Sequence, residues 1–343
     1  MPQKVMVAGA TGYIGVRVCQ ILYQKGYELI ALVRPQSDKS SIEKWINKYI
    51  EGELHKKEDI TDIIKSAQKE NISYFIACVG AVNYHHHYEL SKTINVETAK
   101  NIIDITFSLQ KSDSFEKLVF IGSIASRGFL SIHPNPDEYI DESRDYYVKN
   151  QSVYSDVKKE AKTVVQTAIR NQNLKALIIE PGSLVGKAVG NKTTTSIGLI
   201  NKVINGFPVL GGGASFISVY KVAEGIVLGM EKGRIGETYL LGGENLTMRE
   251  FAFLVKKCHQ HYFPKRFLDM IPVLIIPEKL SYLLGYFNIF LNTQQALLGN
   301  AFHYINDTKA RKELGYTHTK KDLEEAIIET FLNDETTDNI NDY

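Results

Sequence analysis

Short apolar runs rich in β-branched residues recur along the first half of the chain, at Lys4–Ala8, Leu29–Val33, Tyr74–Val79, Leu118–Ile121 and Leu177–Ile179. Between them, apolar positions fall at helical spacing over Val16–Lys25, Asp59–Glu70, Ile94–Ser108 and Ser152–Asn171. Runs this apolar read as strands buried on both faces. Strands alternating with helices predict βαβ units and a parallel sheet with helices on both sides. Right-handed crossovers then make the sheet doubly wound.

The rhythm changes after Pro181-Gly182. Residues 186–219 carry glycines and a polar run, Asn191–Ser196. Val219–Glu231 reads as a helix and Thr238–Leu241 as a further strand. Thr247 with Glu250 three residues on forms a capping box, which starts a helix over Thr247–His259. The pattern predicts one α/β domain from residues 1–185 plus 220–245. A smaller C-terminal substrate lobe takes 186–219 plus 246–332, and 333–343 is a polar, flexible tail.

One apolar stretch needs separate treatment. Met270–Pro277 and Leu280–Leu291 are interrupted by Glu278 and Lys279, and Pro272 and Pro277 break helix. A membrane span needs roughly 20 consecutive, mostly apolar residues. The stretch therefore reads as a buried helix or the wall of an apolar pocket, not an integral span, with peripheral membrane contact left open.

Composition narrows the function classes. The 343 residues carry 40 Lys and Arg against 39 Asp and Glu, a formal charge of +1. That balance argues against a nucleic-acid binder and against disorder. Cys19, Cys78 and Cys258 are far apart, and no zinc spacing occurs, so no metal site is expected. His85-His86-His87 point in different directions and read as a solvated loop. An apolar strand at the very start argues against a leader peptide, and a cytoplasmic enzyme is the expectation.

The chemistry begins at the first strand. Gly9-Ala10-Thr11-Gly12-Tyr13-Ile14-Gly15 follows it and opens a helix. Gly9 permits a tight turn, Gly12 lets the backbone approach a pyrophosphate, and Gly15 lets helix and strand pack closely. The phosphate charge sits on the helix N-terminus. This context identifies a Rossmann-type dinucleotide site. Thr11, Tyr13 and Ile14 complete the loop. Arg34 ends the second strand, where an acidic residue would accept from a ribose hydroxyl. A guanidinium instead matches a 2′-phosphate, and Lys39 can assist, so NADP(H) is the expected cofactor. Glu53 and Leu54 belong to the adenine side, and Val79 and Gly80 pass beneath the cofactor.

Tyr154 and Lys158 share one face of a helix. A tyrosine needs a nearby cation to exchange protons near neutral pH, and Lys158 supplies one. Ser123 follows the fifth strand, at the carboxyl edge where ligands bind, with Ser126 able to substitute or assist.

Together these residues resemble the extended branch of the short-chain dehydrogenase/reductase superfamily, over nearly the whole chain. Within it the chain looks most like the dihydroflavonol reductase and 3β-hydroxysteroid dehydrogenase group. Further matches are Asn95-Val96-Glu97-Thr98, Glu180-Pro181-Gly182, Gly236–Gly243 and Asp307–Tyr316. The resemblance implies that Ser123 polarises a carbonyl, Tyr154 donates the proton and Lys158 binds the nicotinamide ribose. Asn95 would position water for a proton relay, and Pro181, Gly182 and Leu184 would contact the nicotinamide. It implies a small-molecule substrate and is compatible with a homodimer paired through the Ser152–Asn171 helix, and the apolar surplus over 270–291 points to a largely apolar substrate. Two departures stand out: Gly122 replaces a common serine, and Tyr220-Lys221 stand where an aspartate is usual. Two alternatives stay open. One is a nucleotide-sugar epimerase or dehydratase using the same triad, with Lys187, Lys192 and Lys202 as candidate diphosphate partners. The other is a non-catalytic NADP-sensing protein.

Overall fold

The computed structural model describes residues 2–80, 88–130, 138–146, 148, 152–190, 195–264, 271–289 and 291–332. The His85-His86-His87 loop, most of the Asn191–Ser196 run with Lys192, and the 333–343 tail lie outside them. The first six strands of the seven-stranded main sheet follow in chain order: β1 (Lys4–Ala8), β2 (Glu28–Val33), β3 (Lys48–Glu51), β4 (Tyr74–Ala77), β5 (Lys117–Ile121) and β6 (Ala176–Pro181). Between them run α1 (Gly15–Gln24), α2 (Lys57–Gln68), α3 (Tyr88–Lys92), α4 (Thr98–Leu109) and α5 (Val153–Gln172).

Next come β7 (Ser183–Val185), α6 (Thr195–Ile204), β8 (Gly213–Ser218), α7 (Val219–Lys232), β9 (Thr238–Leu241), β10 (Glu244–Thr247) and α8 (Met248–Tyr262). The chain ends in α9 (Glu278–Tyr286), α10 (Thr293–Asn300), β11 (Phe302–His303), α11 (Thr308–Leu314) and α12 (Lys320–Glu329). The main sheet has the order β3-β2-β1-β4-β5-β6-β9, parallel throughout. The expected doubly wound sheet is present, and the order reverses between β1 and β4. Ligands bind in the crevice at such a reversal, beyond the strand carboxyl ends.

Alternation along the strands feeds two cores. Val5, Val7, Leu29 and Ala31 face α1 and α7, with Val16 and Ile226 packed on them. Met6, Ala8, Ile30 and Leu32 face the other side, under Ile63 of α2, Ile102 of α4 and Val165 of α5. Helix α5 starts at Ser152, whose side chain accepts from Ser155 N, and stops at Asn173 in the left-handed region.

The smaller sheet centres on β8, which pairs with β10, β11 and β7. Its core stacks Phe216 on Phe251 with ring centroids 3.8 Å apart, under α6, α8 and α12. The capping box of α8 forms between Thr247 and Glu250 as expected. Residues around α11 return to the large core, where Ala310, Leu314 and Tyr316 are buried. The sequence division groups them with the lobe.

Two local readings differ from the structure. The single helix expected over Ile94–Ser108 instead opens with a π-turn at Thr93–Glu97. There Asn95 Nδ2 donates to the Ser91 carbonyl at 2.9 Å, a side-chain bond that competes with the regular helix ladder. The described residues of the 270–291 stretch do not form a buried helix. Only Ser281 and Gly285 of α9 are buried, because they are the small residues that fit against α10. Among the described residues no helix is long and apolar enough to cross a membrane.

Candidate active site

The carboxyl ends of β1 to β6 bring the expected residues to one edge. Gly9 has φ +73°, and a Cβ there would collide with the Cys78 carbonyl. A Cβ on Gly15 would collide with the Gly9 carbonyl, so helix and strand touch there. At Gly12 a Cβ would meet only the Gly9 carbonyl, at 3.0 Å, and space is open beyond it. Helix α1 begins with no side-chain cap and no acidic residue in its first turn. Its positive end is therefore left for an anion. Glycine cradle and uncapped helix together fit a dinucleotide pyrophosphate.

Arg34 is exposed just past β2. Lys39 is turned to Glu51 in an ion pair, over the Tyr49 ring. The loop carrying Glu53 and Leu54 is anchored twice: Glu53 N donates to Asp59 Oδ2 at 2.7 Å, and Asn101 Nδ2 donates to the Leu54 carbonyl at 2.8 Å. Glu53 itself pairs with Lys56 and His55. Gly182 closes β6, and a Cβ on it would lie 2.6 Å from the Ser215 carbonyl. Leu184 lies on β7, half-buried.

Ser123 caps the short turn Ile124–Arg127, its Oγ accepting from Ala125 N at 3.3 Å. Tyr154 Oη approaches Ser123 Oγ at 3.4 Å. Lys158, one turn along α5, puts its ammonium 5.7 Å from the Tyr154 ring centre. Burial pushes the Lys158 pKa down to about 8. Among the described residues its ammonium has no hydrogen-bond or ion-pair partner. A Cβ on Gly80 would collide with Lys158 Nζ and lie 3.2 Å from Asn95 Oδ1. That Oδ1 is buried with no partner among the described residues. Between Gly80, Asn95, Gly122 and Lys158 lies a cavity of about 10 Å³, the size of one water. An ammonium and a carbonyl oxygen both wanting partners fit a ribose hydroxyl and a relay water.

Ser126 does not stand in for Ser123. It is buried, donates to Glu180 Oε1 at 2.5 Å and accepts from Lys162 Nζ at 3.3 Å. Glu180 also pairs with Arg127 and Lys162. Sequence reasoning missed this network. Its signals were Lys162 one turn beyond Lys158, and a glutamate ending an apolar strand. It missed Arg17 too, which sits 5% exposed behind the glycine loop. Arg17 donates to the Tyr13 and Lys187 carbonyls and lies against the Tyr13 and Tyr220 rings. Tyr220, the departure noted in the sequence, thus helps hold the phosphate-loop helix against the lobe.

The sheet order and the glycine cradle define a Rossmann-type dinucleotide-binding enzyme fold. The chain belongs to the NAD dependent epimerase/dehydratase family, which it matches over residues 5–242. It is 25% identical to human short-chain dehydrogenase/reductase family 42E member 1, over 95% of this chain and 86% of that one. It is 24% identical to cinnamoyl-CoA reductase CAD2 of Medicago truncatula, over 80% and 83%. The crystal structure of a nucleoside-diphosphate-sugar epimerase from Pseudomonas aeruginosa has the same fold, with a TM-score of 0.75, 19% identity and 98% of both chains covered. The extended short-chain dehydrogenase/reductase resemblance is thereby borne out, as is a family dependence on nicotinamide dinucleotide.

Proposed function

We propose that this chain is an NADP(H)-dependent reductase or dehydrogenase acting on a carbonyl or secondary alcohol of a largely apolar small molecule. The observation that carries the reading is the approach of Tyr154 Oη to Ser123 Oγ at 3.4 Å, with the Lys158 ammonium beneath the ring. The bound nicotinamide supplies or accepts the hydride. In the reducing direction, Ser123 and Tyr154 donate hydrogen bonds to the substrate oxygen, and Tyr154 passes its proton to it. Lys158 favours the tyrosinate left behind and holds the ribose. Asn95 fixes the water through which the proton is restored. In oxidation each transfer runs backwards.

NADP(H) is favoured by Arg34, an exposed guanidinium where an acidic residue would select NAD. An apolar substrate is supported by the chain beyond Ser123. There Ile124, Leu130, Ile140, Leu240 and Ile305 form a buried core that anchors the segment, and half-buried Phe129 packs edge-on to His303 at 5.7 Å. Burial pushes His303 down to about 4, so it is neutral at pH 7.

The test is a screen of NADPH oxidation over aldehydes, ketosteroids, flavonoid-like ketones and nucleotide sugars. Steady oxidation with an apolar ketone or aldehyde is expected. Conversion of a nucleotide sugar without net cofactor consumption would replace this reading with the epimerase one.

A further inference from the structure

Helix α9 is built inside out for a surface facing water. Its buried residues are the small ones, Ser281 and Gly285, one turn apart. Asn300 Nδ2 donates to Ser281 Oγ at 2.7 Å. Gly285 lets the Asn292 backbone come so close that a Cβ there would lie 3.1 Å from its oxygen. The helix thus meets α10 through a small, polar seam. Large side chains on it and just after it are exposed, Leu280 45%, Leu283 55%, Tyr286 76% and Phe287 61%, while Tyr282 and Leu284 are half-buried. An ordinary amphipathic helix does the reverse.

Exposure is greatest near the turn after α9, where Asn288 takes φ +54° and Ile289 is also exposed. The apolar groups therefore cluster at the C-terminal tip of α9. No Asp, Glu, Lys or Arg occurs between Lys279 and Asp307. The segment leading into α9 adds to the apolar surface. Val209 pairs with it through Leu274 and Ile276, and Phe207, Leu274 and Ile275 are exposed there. Two exposed lysines flank this surface, Lys202 and Lys279, and neither has an ion-pair partner among the described residues.

We propose that this tip docks on an anionic lipid bilayer, with the α9 apolar face in the interface and Lys202 and Lys279 among the headgroups. A protein partner would have to offer a matching hollow, and protein interfaces carry polar rims. A tip entering the acyl boundary must exclude charge, because a charge there is costly. Cations beside it gain from anionic headgroups. Apolar burial plus that attraction is the physics of interfacial attachment. The proposal does not depend on the reductase reading.

Vesicle flotation of the full chain tests it, with phosphatidylcholine alone and with phosphatidylcholine:phosphatidylglycerol in a 3:1 ratio. The protein should float with both, more strongly with the anionic mixture. Leu283→Ser, Phe287→Ser and Ile289→Ser combined should cut the bound fraction at least about tenfold on both. Lys202→Glu with Lys279→Glu should remove only the gain from phosphatidylglycerol. All these side chains are exposed, so unchanged thermal melts are expected and check folding. Phe287→Trp gives a second readout, since the only native tryptophan is Trp45. Its emission should shift blue and be quenched by bromine-labelled acyl chains. Failure to float with either vesicle overturns the proposal. So does a concentration-dependent dimer that the serine variant abolishes, which would make the patch a contact between copies.

Discussion

Glu180 and Arg127 form an ion pair sealed from water, Oε2 to Nε 2.6 Å, with side chains 0% and 5% exposed. Lys162 completes it at 2.9 Å from Glu180 Oε1, and three backbone carbonyls, of Asp141, Glu142 and Arg144, accept from Arg127. The network joins the turn after Ser123 to the helix that carries Tyr154 and Lys158. Burial pushes Glu180 up, but Lys162 and Arg127 outweigh it and hold the carboxyl below its ordinary value. Its stabilising contribution is therefore complete above the ordinary carboxylate range and is lost as pH falls below it.

Glu180→Gln leaves two buried cations without their carboxylate. Breaking a buried pair in this way costs roughly 3–5 kcal/mol. Urea melts at pH 7 should show that loss, and the gap to the native protein should close as the pH is lowered below about 4. Equal stability at pH 7 would mean that the network is not what holds these elements together.

Tyr154→Phe keeps the ring and removes the transferable proton. Turnover on a verified substrate should fall roughly 100- to 10,000-fold while cofactor affinity stays near native. Single-turnover kinetics with titration of the cofactor separates the two. Near-native turnover would remove Tyr154 from the chemistry.

Arg34→Ala should weaken NADPH binding and leave NADH nearly untouched. A charge-assisted bond of this kind contributes on the order of 1.5–3 kcal/mol. Titrating both cofactors against native and variant protein checks this. A native protein that binds both equally, or prefers NADH, contradicts the NADP(H) assignment.

Lys158→Met should raise the melting temperature of the cofactor-free protein even as it abolishes turnover. A buried lysine with its pKa at about 8 carries a folded-state penalty whenever it is protonated. The penalty is full below pH 8 and fades as pH rises from there to the unfolded value near 10.4; its order of magnitude is roughly 3 kcal/mol. Melts at pH 7 and pH 9.5 should show the variant's advantage shrinking. A variant less stable than the native protein at pH 7 would show that packing by the lysine stem dominates.

Most of the main sheet was legible because its inner strands are apolar on both faces and its glycine loop has a fixed chemistry; the edge strand β3, Lys48–Glu51, is largely exposed and carries no such run. Tyr154 and Lys158 were legible because helical spacing alone puts them on one face. The smaller sheet was not. Its strands β7, β10 and β11 are short and half-buried, so they carry neither alternation nor an apolar run, and β8 is disguised by Gly211-Gly212-Gly213. Ser126, Arg127 and Lys162 were invisible as a set because only the fold brings them to Glu180. The outward face of α9 was left open by the sequence because an apolar residue's direction depends on which neighbour is small, and Ser281 and Gly285 decide that in three dimensions.

The π-turn at Thr93–Glu97 sets the phase of everything before it. Each residue of a regular helix advances the side chain by about 100°, so one residue fewer would swing Asn95 away from Gly80 and Lys158 without touching either. Asn95 shares the space beside Gly80 with Lys158 only because its own helix is one residue out of step, and a deletion there would move Asn95 out of that space while leaving the fold and the other site residues in place.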